Sequence, residues 1–97
     1  MSLSKTISPD NIIYLEADVN YSIFHFENGK KRISSFTLKY YENKEETNHF
    51  LRIHRSYLLN PHYIISIYKR GHNSFIKMAN GKEIKVSRRK RGLIADL

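Results

Sequence analysis

The chain has no cysteine, which excludes disulfides and thiolate metal sites and suits the cytoplasm, the expected compartment. No apolar run approaches the roughly 18 residues that a membrane span needs, and no secretory signal opens the sequence. Gly-rich phosphate loops, a nucleophile elbow and a His-Glu-x-x-His motif are all missing. The acids are scattered, and Ser56 near His54 lacks the geometry of a nucleophile and its base. No enzymatic role is expected, and no cofactor. His25, His49, His54, His62 and His72 show no zinc-type spacing, so no metal is expected either.

Acidic residues are scarce in one half of the chain. Residues 1–48 hold six Lys/Arg against seven Asp/Glu, whereas residues 49–97 hold eleven against two. The whole excess of the +8 net charge therefore lies in the second half, an electrostatic footprint whose usual partner is a polyanion. Six of the ten residues from Lys82 to Arg91 are basic. Ser87 is a candidate helix N-cap, and packing the first turn after it with cations opposes the helix dipole. An anion such as phosphate would relieve that conflict.

Ninety-seven residues with 40% apolar content and twelve Tyr and Phe make one small domain. Residues 1–4 carry no structural weight, as an expression remnant or a disordered end, which leaves a domain over 5–97.

Two segments repeat each other at an offset of 52. Asn11 to Lys30 lies over Tyr63 to Lys82, with identities at Ile12/Ile64, Ile13/Ile65, Ser22/Ser74, Asn28/Asn80, Gly29/Gly81 and Lys30/Lys82. Each copy reads as strand, polar loop, strand, then an Asn-Gly turn into a third strand. Asn-Gly between strands predicts a two-residue type I′ hairpin. Between the copies, Phe36–Glu46 has helix formers and no Gly or Pro, predicting a short helix capped by Ser35.

A strand is expected over Phe50–His54, with Leu51 and Ile53 inward. Extending that alternation would bury Arg55, so Arg55-Ser56 begins a loop, Tyr57, Leu58 and Leu59 plug the core, and Asn60-Pro61 turns the chain. Pro9 sits just before the first strand. The expected fold is mainly β: two antiparallel three-stranded units packed as a small sandwich, with a short middle helix and a short C-terminal helix.

Cations gather at the ends of these elements: Arg52 with Arg55, Lys69 with Arg70, Lys82 with Lys85, Arg88 to Arg91, and Lys30 to Arg32 at the first hairpin turn. Loop-borne arginines on a β scaffold suit guanine O6/N7 in a major groove, while lysines suit phosphates. A single-strand (RNA) binder stacking bases on exposed Tyr and Phe is the alternative, and a protein-interaction module with an incidental basic face is a third reading.

Three motifs carry a resemblance. Ile12–Tyr21 (I-I-Y-L-E-A-D-V-N-Y), Arg52–Asn60 (R-I-H-R-S-Y-L-L-N) and Lys85–Arg91 (K-V-S-R-R-K-R) closely resemble the LytTR DNA-binding domain, in the right order and over about Asp10 to Leu97. The resemblance implies the output domain of a bacterial two-component response regulator. It implies pairs of copies on direct repeats of double-stranded DNA, with loops inserted into successive major grooves. By motif match the base-contacting positions are Ser22, Arg55, Arg88 and Arg89; a short Ser departs from the longer side chain some members present. Asn20, Tyr21, Ser56, Lys69, Arg70, Lys82, Lys85, Lys90 and Arg91 are expected at the DNA backbone. His54 is expected to bond a neighbouring backbone group. A receiver domain or sensor kinase would be a partner outside this chain. The sequence is then either a domain cut from a response regulator, as the abrupt Lys5-Thr6-Ile7 start favours, or a stand-alone protein.

Overall fold

The computed structural model describes residues 11–94; the expectations about residues 1–4, the domain start at Lys5 and Pro9 fall outside them. Strands β1 (Ile12–Asp18), β2 (Tyr21–Phe26) and β3 (Lys31–Ser34) form the first antiparallel unit. A one-turn helix, α1 (Leu38–Glu42), leads to β4 (Leu51–His54) and β5 (Tyr57–Leu59). A 3₁₀ turn at Pro61–Tyr63 then opens the second unit, β6 (Ile64–Arg70), β7 (Asn73–Met78) and β8 (Glu83–Lys85).

The repeat survives in three dimensions with its offset intact. β1 and β2 occupy the same relative positions as β6 and β7, and both pairs bulge just after their first residue. Glu27 N–H donates to Asn11 O at 3.0 Å, as Ala79 N–H does to Tyr63 O at 2.9 Å.

Leu58 and Leu59 fill the core as expected, with Tyr57 packed against it, but Tyr57–Leu59 is not the loop segment anticipated. It is a strand, pairing β1 on one side and β4 on the other, so the first unit grows into a five-stranded sheet ordered β3-β2-β1-β5-β4. The second unit remains a three-stranded sheet. Because the larger sheet is covered on both faces, its central strands are apolar on both sides instead of alternating. Ile12, Leu15, Phe24 and Leu58 pack one face against Leu38, Tyr41 and Phe50. Ile13, Tyr14, Ile53 and Leu59 pack the other against Ile76, Met78, Ile84 and Val86 of the smaller sheet.

The Asn-Gly turns also differ from expectation. Gly29 and Gly81 have φ of 86° and 89°, but neither Asn28 nor Asn80 has positive φ, as type I′ requires. Each loop has three residues: Phe26 N–H donates to Lys30 O and Gly29 N–H to Phe26 O, mirrored by Met78 with Lys82 and Gly81 with Met78. This is a type I turn closed by a left-handed glycine. Asn28 and Asn80 fix it by accepting, through Oδ1, the amides of Lys30 and Lys82.

The middle helix spans five residues rather than eleven, and Thr37, not Ser35, precedes it. Side chains end it early. Asn43 Nδ2 donates to Lys39 O and Thr47 Oγ1 to Tyr41 O, taking carbonyls that a continuing helix would give to amides four residues on. The C-terminal helix is a 3₁₀ helix over Arg88–Ile94, with Lys90 N–H on the Ser87 carbonyl.

The β1–β2 turn has only two residues, Val19 and Asn20, between the paired Asp18 and Tyr21. Val19 has φ of 57°, a conformation that costs a residue with a Cβ roughly 1–2 kcal/mol.

Candidate nucleic-acid interface

The strand ending at His54 leaves Arg55-Ser56 as a two-residue turn, as the cost of burying Arg55 predicted. Three neighbours fix its shape. His54 Nδ1 accepts the Ser56 amide at 3.0 Å, the backbone bond expected of it. Arg52 donates through Nε to His54 O at 3.0 Å and through Nη2 to Arg55 O at 2.5 Å, while Nη1 holds Glu42 of α1 at 2.6 Å. The guanidinium of Arg52 therefore stiffens the turn, and that of Arg55 stands exposed.

β1 and β5 run antiparallel, so the β1–β2 turn and the β4–β5 turn share one end of the large sheet. Ala17 N–H donates to Ser56 O at 2.8 Å across that end. On the other side, Ser87 N–H donates to Ile53 O at 2.8 Å, which anchors the basic 3₁₀ helix beside β4. Val86 N–H bonds Ser74 O at 2.8 Å, and an Arg91 guanidinium N–H bonds His72 O, bringing in the β6–β7 turn flanked by Lys69 and Arg70. Three backbone bonds and one arginine thus link four segments that are separated in the sequence.

The charge of these segments is visible in His54. Burial pushes its imidazole below the ordinary value, and Arg55, Arg52 and Lys85 push it further the same way.

Of the expected contact residues, Arg55, Arg88, Arg89, Lys69, Arg70, Lys85, Lys90, Arg91, Asn20 and Tyr21 are exposed on these segments, and Ser56 is half-buried. Ser22 is corrected: it is fully buried, and its hydroxyl donates to Phe36 O at 2.7 Å, so it faces the interior. Its counterpart in the repeat, Ser74, is buried too. Lys82 is exposed as well, its ammonium 5.5 Å from the centre of the Tyr57 ring, and interaction with that phenol raises its pKa. Lys30, Lys31 and Arg32 lie at the opposite end of the large sheet from the β1–β2 turn, since β2 separates the two turns.

The histidines are dispersed. His25 bonds Glu16 at 2.9 Å and stacks on Tyr14, and among the described residues no three metal-capable side chains meet. The tyrosines form no stacking row. Tyr41 is core, Tyr63 bonds Glu27, Tyr68 stacks on Phe75 beneath Arg70, and Tyr40 stacks on Phe36. Arg52 was read from the sequence only as one of the clustered cations, and its structural role shows in its three acceptors; Val19, exposed at the tip of the β1–β2 turn, escaped the sequence reading. No helix among the described residues is long and apolar enough to cross a membrane.

A family model described as the LytTr DNA-binding domain matches residues 3–97. Among solved structures, a LytTr DNA-binding domain of a methyl-accepting/DNA response regulator from Bacillus cereus is similar, with a TM-score of 0.79. It is 23% identical, and the match covers 93% of this chain and 83% of that one; at this identity it speaks for the fold. A comparison with curated proteins gave no match.

Proposed function

Because this chain belongs to the LytTR DNA-binding domain family, we propose that it binds double-stranded DNA sequence-specifically and regulates transcription as the output domain of a response regulator. The observation that supports this reading is the chain of hydrogen bonds linking the β1–β2 turn, the β4–β5 turn, the β6–β7 turn and the basic 3₁₀ helix, whose cations are exposed. Arg55, Arg88 and Arg89 read bases, because guanidinium matches the guanine major-groove edge. Asn20, Tyr21, Ser56, Lys69, Arg70, Lys85, Lys90 and Arg91 hold the backbone, as donors without base information do. Lys82, exposed beside Tyr57, adds a further charge toward the backbone, and Ser22, buried, takes no part. Two copies occupy direct repeats, each sending its turns into major grooves. The reading is one of binding, with no catalytic step.

With about six phosphates engaged, log affinity falls against log salt with a slope near −5, from roughly −0.9 per phosphate. Arg88→Ala flattens base preference in a selection from random duplexes, whereas Lys69→Ala weakens all duplexes alike. An unchanged preference in Arg88→Ala would refute the assignment. Single strands that outcompete duplex would favour the stacking alternative, which the scattered tyrosines speak against.

A further inference from the structure

The molecule contains the same two-residue turn twice. Val19 follows Asp18, which pairs Tyr21; fifty-two residues later Gly71 follows Arg70, which pairs Asn73. Both first residues are left-handed, Val19 at φ 57° and Gly71 at φ 65°. Glycine takes that conformation freely, whereas valine crowds its branched Cβ against the backbone. The fold therefore favours glycine at this position and has it in one copy. In the other it keeps a strained valine that packs against nothing, since the side chain is 87% exposed.

An exposed valine alone needs no explanation, but one held at positive φ points to a contact outside the molecule. Its location says what that is. Ala17, two residues before Val19, donates its amide to Ser56 of the β4–β5 turn at 2.8 Å, so the Val19 tip projects beside Arg55. We infer that Val19 is a specificity-determining residue whose isopropyl group packs on the C5 methyl of a thymine in the major groove. This rests on the duplex-binding reading above. The methyl distinguishes thymine on the major-groove edge, and it is recognised by apolar contact. Valine is stiff about its one side-chain torsion, so little freedom is lost on contact.

The test uses a duplex selected from a random library, with each thymine replaced singly by deoxyuridine to delete only that methyl. The wild-type protein loses about four-fold in affinity at one position per binding site, the worth of one buried methyl. Val19→Gly no longer distinguishes thymine from uracil there and binds the uracil duplex as the wild type does, and Val19→Ala, with a shorter apolar side chain, discriminates less than the wild type. Val19→Ile keeps the discrimination. Val19→Gly also melts no lower than the wild type, because the strain is released, so loss of folding does not confuse the result. A wild type indifferent to every uracil, or a Val19→Gly variant that still senses the methyl, overturns the inference while leaving Arg88-dependent duplex binding intact. Val19 variants that change self-association and not methyl sensitivity would assign the residue to a second copy instead, also against the inference. Failure to select any duplex would defeat the underlying reading and this one together.

Discussion

Arg52→Ala tests how the β4–β5 turn is held. The side chain makes three bonds, to the Glu42 carboxylate and to the carbonyls of His54 and Arg55. The ion pair is partly open to water, its side chains 24% and 34% exposed, so it contributes only about 0.5–1 kcal/mol. The two carbonyl bonds have a charged donor, and after allowance for exposure they contribute about 1 kcal/mol together or somewhat more. Arg52→Ala should therefore lower stability by about 2 kcal/mol in urea denaturation. Glu42→Gln should cost about 0.5 kcal/mol, and adding it to Arg52→Ala should cost almost nothing more. Duplex affinity should fall in Arg52→Ala beyond what Glu42→Gln does, because the Arg55 backbone loses its clamp. If Arg52→Ala costs no more than Glu42→Gln in both assays, the carbonyl bonds contribute nothing, and the turn is shaped by His54 and Ala17 alone.

Asn60→Ala should be more damaging than its size suggests, by about 2–3 kcal/mol in thermal or urea melts. The buried amide donates to Ile12 O at 2.8 Å and accepts from His62 N–H at 3.0 Å, tying β1 to the start of the second unit. Stability should also fall as pH drops below about 6.5, the ordinary histidine value. His54 has a folded pKa below that value, so the unfolded chain takes up the proton first; stability is full above 6.5 and declines until the folded-state pKa is passed. His54→Gln should flatten that part of a pH–stability profile, and an unaltered profile would acquit the residue.

Much of this was legible in the sequence. The repeat offset anticipated that the β1–β2 pair recurs as β6–β7, because strand–turn–strand units carry their own hydrophobic and turn patterns. The break after His54 followed from the cost of burying Arg55. Tyr57–Leu59 was not legible as a strand, since three apolar residues facing two different layers show no alternation to read. The length of α1 was hidden for another reason: Asn43 and Thr47 divert carbonyls through side chains, and propensity is blind to such competition. The inward turn of Ser22 was hidden in the same way. Its hydroxyl could have faced either layer until Phe36 O offered a partner from fourteen residues away.

The joints between the linked segments are made almost wholly by main-chain amides and carbonyls, at Ala17–Ser56, Ser87–Ile53 and Val86–Ser74. Such joints are indifferent to which side chains decorate them. Arg55, Arg88 and Arg89 can therefore be exchanged with little penalty to the chassis, and under the proposed reading a lineage carrying it could acquire a new target sequence one substitution at a time.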